Sequence, residues 1–203
     1  MKIDNLAPGN YYHIYNRGNN GSTIFFEKEN YSYFLRLYDK YIQPVSHTYA
    51  WCLLKNHFHF LLYLKEKEEI NLSDLSYSTK KQVTKADPSR QFSHFFNAYT
   101  QAINKKYGRT GSLLEKPFER KRIDSEDYLR KLIFYIHNNP VHHGLTTNME
   151  SYPWSSYTSL LSSQPTTLKR DEVISWFDSA ENFRAFHKKE YFKNEEPFQG
   201  LEP

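Results

Sequence analysis

Trp51-Cys52-Leu53-Leu54-Lys55-Asn56-His57-Phe58-His59-Phe60-Leu61-Leu62-Tyr63 is an apolar, β-prone run broken once, at Lys55-Asn56. Successive residues of a strand point to opposite faces, so His57 and His59 share one face while Phe58 and Phe60 share the other. Two neutral imidazoles side by side suit Zn, Mn, Fe or Cu. They leave positions open for water, a carboxylate or a substrate phosphate, so a metal site here needs a third ligand from elsewhere in the chain. The competing reading is two polar residues on the solvated face of a half-buried strand, and the spacing alone leaves both open.

Working outward, strands over roughly 48–54 and 57–64 joined at Lys55-Asn56 make a hairpin whose second arm opens on the histidine pair. Upstream, Tyr11-Tyr12-His13-Ile14-Tyr15 reads as a strand. It is followed by the turn-rich loop Asn16-Arg17-Gly18-Asn19-Asn20-Gly21-Ser22, whose glycines would let backbone amides approach a phosphate with help from Arg17, or which is a plain surface loop. Tyr31, Phe34, Leu35, Leu37, Tyr38 and Ile42 follow helical spacing from Lys28 to about Ile42, and Pro44 ends the run. Downstream, residues 65–89 are charged and polar and read as a long connection. A second helix is expected over 91–107 with Phe92, Phe95, Phe96, Tyr99 and Ile103 on its apolar face, closed by Gly108 and Gly111. Phe118 to Ile123 reads as a short basic strand on which Arg120 and Arg122 share a face; a solvated, charged edge strand has the same composition. Asp124 and Ser125 are N-cap candidates for a third helix running to about Asn138 and stopped by Pro140. Beyond Gly144, residues 171–188 are expected to form one or two short helices. The order strand, helix, strand, strand, helix, strand, helix predicts an α+β fold, ferredoxin-like or RRM-like, with an antiparallel sheet, helices packed on one face and a short C-terminal helical extension.

A chain of 203 residues is long enough for one domain with a proper core. Its single cysteine, Cys52, excludes an internal disulfide and a cysteine-based zinc cluster and fits a reducing cytoplasm. The polar start resembles neither a signal nor a transit peptide, and no apolar run approaches membrane-spanning length. The net charge of +4 is unevenly spread. Residues 79–122 hold eleven Lys or Arg against three Asp or Glu, while residues 171–203 hold four against eight. A basic middle points to a polyanionic partner, and 17 Tyr with 15 Phe supply rings on which unpaired bases can stack, although most such rings belong in a core.

On the third helix Tyr128, Leu129, Leu132, Ile133 and Ile136 make an apolar stripe. Tyr135 and Asn139 stand four apart at its edge, where their side chains are neighbours, whereas Phe134 and His137 point elsewhere. A phenol and a carboxamide there would complete what the histidines begin, the amide oxygen as third ligand and the phenol as nucleophile. The plainer alternative is a half-buried tyrosine and an asparagine at a helix end.

These residues resemble a known family. His57-Phe58-His59 has the form of the HUH motif, and Tyr135-Ile136-His137-Asn138-Asn139-Pro140-Val141, continuing to Gly144-Leu145, is similar to the tyrosine helix of single-tyrosine HUH transposases, in particular the REP-associated branch. The likeness also takes in Tyr12 to Asn20, Ala50 to Asn56, Gly108 to Leu113 and Trp154 to Tyr157, covering about residues 10–160. It implies a single-tyrosine domain over 1–160, with 161–203 a C-terminal extension ending in an acidic tail. It further implies that His57, His59 and Asn139 ligate a divalent metal, Mg²⁺ or Mn²⁺, and that Tyr135 attacks DNA to give a 5′-phosphotyrosine and a free 3′-OH on single-stranded DNA beside a hairpin. Lys55 departs from the proline usual before Asn56, and His142-His143 from the usual Arg or Lys with Ala; neither position carries the chemistry. A phenol ionises near pH ~10, so such an attack needs assistance at neutral pH.

The expected function is therefore a DNA nickase and strand transferase acting on imperfect palindromes in the cytoplasm, nucleoid-associated, as a monomer or homodimer. Arg17, Lys105, Lys106, Arg109, Arg120 and Arg122 are the expected DNA-binding residues. Two alternatives are a non-catalytic hairpin DNA- or RNA-binding protein of RRM-like fold and a metal-dependent hydrolase using the histidine pair with water. A covalent adduct separates the first reading from both others.

Overall fold

The computed structural model describes residues 4–75 and 86–188. The middle of the long connection and the acidic tail past Lys188 lie outside them. Four strands, β1 (Asn10–Arg17), β2 (Ser46–Leu53), β3 (His57–Leu64) and β4 (Glu119–Ile123), form one sheet in the order β2-β3-β1-β4, every neighbouring pair antiparallel. Helices α1 (Lys28–Tyr41) and α2 (Pro88–Lys106) make the two crossovers, which gives the expected ferredoxin-like βαββαβ arrangement. Helix α3 (Glu126–His142) follows, then the short helices α4 (Tyr157–Leu161), α5 (Arg170–Ser175) and α6 (Ala180–Lys188).

The alternation along β3 divides two cores. Phe58, Phe60, Leu62 and Leu64 join Tyr12 and Ile14 of β1 under α1 and α2, where Phe34, Phe92, Phe95 and Tyr99 fill the layer. Leu61 faces the other way, with Ala50, Cys52 and Ile123, onto Leu129, Leu132, Ile133 and Ile136 of α3. Helices thus occupy both faces of the sheet, where the sequence suggested one. The two crossover helices share a face as expected, and α3 has an apolar stripe of its own that only the opposite face can cover. Burying each of its branched residues is worth about 2 kcal/mol against exposure. Val173, Phe177 and Phe183 are buried in this same second core, α6 packing on α3 and α5 lying against β2, where Tyr49 donates to Glu172 at 2.7 Å.

Helix α3 starts as the caps suggest, with Ser125 Oγ accepting from the amide of Tyr128 at 3.3 Å. Its end differs from expectation: the helix runs through Pro140 to His142. Proline removes a single donor one turn from the terminus, and the chain closes with Leu145 N donating to Pro140 O at 2.8 Å around Gly144, whose φ of 66° is natural for glycine. Asn139 therefore lies inside the helix and keeps helical register with Tyr135. No helix among the described residues is long and apolar enough to cross a membrane.

Candidate active site

His57 opens β3 directly after the turn at Lys55-Asn56, and His59 follows on the same face, the one covered by α3. Both are buried, His59 completely. Asn139 of α3 comes down on the first imidazole, with its Oδ1 3.0 Å from His57 Nε2. Tyr135, one turn earlier and 7% exposed, stands edge-on to His59 with ring centroids 5.3 Å apart. The two histidines, the tyrosine and the asparagine singled out from sequence are thus brought into one cluster. Tyr128 lies apart from it at the sheet edge, its hydroxyl accepting from Lys121 Nζ at 3.1 Å.

The outer nitrogens of both imidazoles are occupied by neighbours. His57 Nδ1 is 2.8 Å from Asn56 Oδ1 and its Nε2 3.0 Å from Asn139 Oδ1; both oxygens only accept, so a neutral ring donates to one of them, and the tautomer that donates to Asn56 leaves the Nε2 lone pair for a cation. His59 Nδ1 is 3.0 Å from Nε2 of His13, a fully buried residue of β1. Burial pushes both of these rings away from the charged form, His13 to about 3 and His59 well below the ordinary histidine value. Lys121 adds to the effect on His13, and the neighbouring histidines to that on His59. His59 is therefore neutral, as a ligand must be. His59 Nε2 is buried with no hydrogen-bond partner, and so is the Asn139 amide nitrogen.

This donor set fits a divalent cation. His57 Nε2 and Asn139 Oδ1 lie 3.0 Å apart, a hydrogen-bond distance that also equals the edge of an octahedron with bonds of about 2.1 Å, and an unpartnered imidazole nitrogen sits alongside. Among the described residues no three His, Cys, Asp or Glu side chains gather into a metal cluster, so the carboxamide is what would raise the ligand number to three. His143, at the end of α3, adds a third ring to this rim, 4.9 Å from that of His57.

Three of these contributors were not singled out from sequence as part of the site. His13 lies 46 residues from His59, and only strand pairing reveals the contact. Lys121 is the cation of β4 on the face of the site, opposite His13 in the sheet. Asn56 was visible only as a turn residue.

The expected DNA-contacting residues are scattered. Arg120 and Arg122 pair with Ile14 and Tyr12, which places them on the α1/α2 face rather than the face of Tyr135. Arg120 donates to the backbone of Asp4 and Arg122 to Asp124. Arg17 pairs with Glu115 at 2.7 Å, Lys106 with Glu27, and the Arg109 guanidinium lies 5.9 Å from the ring of Phe26, while Lys105 is exposed on α2. The glycine loop offers little to a phosphate: the amides of Gly18, Asn19, Gly21 and Ser22 are each committed to a protein carbonyl. Gly18 is needed for close approach, since a Cβ there would meet Ser22 O at 1.9 Å.

No family model matches the chain. Over 112 residues it is 29% identical to a Haemophilus influenzae protein described as "Putative REP-associated tyrosine transposase", an alignment that covers 54% of this chain and spans 58% of that relative. Its fold matches a solved structure of a REP-associated tyrosine transposase bound to a REP hairpin, with a TM-score of 0.59 at 15% identity, covering 81% of this chain and 88% of the other. The resemblance carried by the motifs is thus found again twice, in sequence with a curated relative and in fold with a solved REP-associated tyrosine transposase.

Proposed function

We propose that this protein is a metal-dependent, transposase-like enzyme that cleaves and rejoins single-stranded DNA beside hairpins, with Tyr135 as nucleophile and His57, His59 and Asn139 as the metal ligands. The observation that carries the reading is the convergence of Tyr135 and Asn139, one helical turn apart, on the two buried histidines of a facing strand. A bound Mg²⁺ or Mn²⁺ would supply positive charge to a non-bridging oxygen of the scissile phosphate.

The chain's own residues account for the remainder. Helix α3 holds the Tyr135 ring edge-on to His59, so that a phosphate bound at the histidine face would meet the phenol at short range. The phenolic oxygen forms a bond to phosphorus as the bond to the 3′ oxygen breaks. The phenol loses its proton, the departing 3′ oxygen gains one, and a 5′-phosphotyrosine and a 3′-OH result. Because the ester is kept, a second 3′-OH can reverse the step and rejoin the strand. No water is consumed, and no carboxylate base is required in the cluster. Lys121 lies on the face that the DNA would approach.

The reading is tested by incubating the protein with labelled, hairpin-flanked single strands and Mg²⁺ or Mn²⁺, then resolving the products on a denaturing gel. A labelled band of protein size is expected from the wild type and absent from Tyr135→Phe, which removes one oxygen. Persistence of the band in Tyr135→Phe, or peptide mapping that places the nucleotide on Tyr128, overturns the assignment.

A further inference from the structure

We propose that His137 is a positioning residue for the tyrosine helix, holding Tyr135 and Asn139 in place through a one-way chain of buried hydrogen bonds; its catalytic consequence rests on the function proposed above. In a helix Asn139 lies about 40° round the axis from Tyr135 and His137 about 200°, so His137 is on the far side of α3 from the cluster. Its ring is fully buried and has a partner on each nitrogen. Nε2 is 2.8 Å from Ser156 Oγ and Nδ1 is 3.0 Å from His187 Nε2.

The proton positions follow from the two ends. His187 Nδ1 is 2.8 Å from the carbonyl of Phe183, which can only accept, so that nitrogen carries the hydrogen. The buried, neutral His187 must then accept at Nε2, which requires Nδ1–H on His137. His137 in turn accepts at Nε2 from the Ser156 hydroxyl. Ser156 Oγ accepts from the Trp51 amide at 2.9 Å. Donation thus runs one way from the backbone of β2, through Ser156, His137 and His187, to the backbone of α6. Every atom in the chain is used and none is charged.

Both ends are anchored. Ser156 N donates to Trp51 O at 2.9 Å and Leu53 N to Trp154 O at 2.9 Å, so the segment before α4 is fastened to the free edge of β2. At the other end Phe183 is completely buried, and His187 packs on its ring at 4.1 Å. Leu129, Leu132, Ile133 and Ile136 press α3 onto the sheet, but apolar packing is non-directional and tolerates rotation. Directional bonds on the far side fix that rotation. Rotation is what sets the reach of Tyr135 toward His59 and of Asn139 toward His57.

The test uses the full chain with 3-fluorotyrosine placed at position 135 and read by ¹⁹F NMR, alongside adduct formation and hairpin binding. His137→Leu keeps the bulk and removes both hydrogen bonds; His137→Gln offers one acceptor and one donor in their place. Ser156→Ala cuts the chain at one link and serves if His137→Leu does not fold. The expected result is a shifted or broadened ¹⁹F resonance in His137→Leu and Ser156→Ala. Adduct formation should fall at least about tenfold with hairpin affinity unchanged, and His137→Gln should recover most of both. An unchanged resonance and adduct rate in a folded His137→Leu or Ser156→Ala, with only the melting temperature lowered, makes the chain purely structural and overturns the proposal. If the wild type forms no adduct at all while the resonance still responds, the positioning role stands and the enzymatic reading fails.

Discussion

Asn139 and His57, 82 residues apart in the chain, meet with the carboxamide oxygen 3.0 Å from Nε2, both side chains buried. Nothing in the local structure of either element requires this. The contact joins the start of β3 to the last turns of α3, and it is the place where a cation would be most welcome.

Asn139→Ala removes that oxygen. The amide nitrogen has no partner to lose, so stability should fall by no more than about 1 kcal/mol. Mn²⁺ affinity, followed by titration with electron paramagnetic resonance, should drop at least about tenfold. Equal affinity in the variant and the wild type takes Asn139 out of the ligand set.

His13→Phe keeps a ring stacked on Tyr15, where the imidazole now lies 4.5 Å away, but abolishes the hydrogen-bond partner of His59 Nδ1. A ligand imidazole whose outer nitrogen is no longer held loses orientation, so Mn²⁺ affinity should weaken by about 10- to 100-fold in an otherwise folded protein. If His13→Phe binds Mn²⁺ as the wild type does, His13 is packing alone.

Lys121 and Arg122 are adjacent in sequence but face opposite sides of the sheet. A strand of DNA lying across the tyrosine face should contact Lys121. Lys121→Gln should therefore flatten the salt dependence of single-strand binding by about one unit of slope, and Arg122→Gln should change it less. The reverse ranking would place the nucleic acid on the α1/α2 side.

His187 is lowered from its ordinary value of 6.5 to about 4 by burial, partly opposed by its bond to the Phe183 carbonyl. The unfolded chain takes up this proton near pH 6.5 and the native chain only near 4. The contribution is thus fully present above pH 6.5 and is lost as the pH falls toward 4, amounting to on the order of 3 kcal/mol. Urea unfolding between pH 7 and 4 should show a smaller loss of stability in His187→Gln than in the wild type. His13, His59 and His137, also lowered by burial, should preserve part of the slope. Parallel pH profiles for the two proteins exclude His187 as a contributor.

Much of the site was legible in the sequence because it depends on short-range periodicity. The alternation of a strand puts His57 and His59 opposite Phe58 and Phe60, helical spacing makes Tyr135 and Asn139 neighbours, and Ser125 caps the helix that carries them. The element order was enough for the ferredoxin-like topology. Tertiary structure alone decided the rest, since periodicity says which residues share a face but not what covers it. Helix α3 took the open face of the sheet because its apolar stripe had no other surface to bury against. Pairing between β1 and β4 then put Lys121, not Arg120 and Arg122, on the sheet face that carries the histidines, opposite His13. His13 reached His59, and His137 reached Ser156 and His187, through hydrogen bonds spanning 46, 19 and 50 residues. Such bonds exist only after the layers have packed, because only then is water excluded and each buried nitrogen left to the neighbour that packing has put beside it.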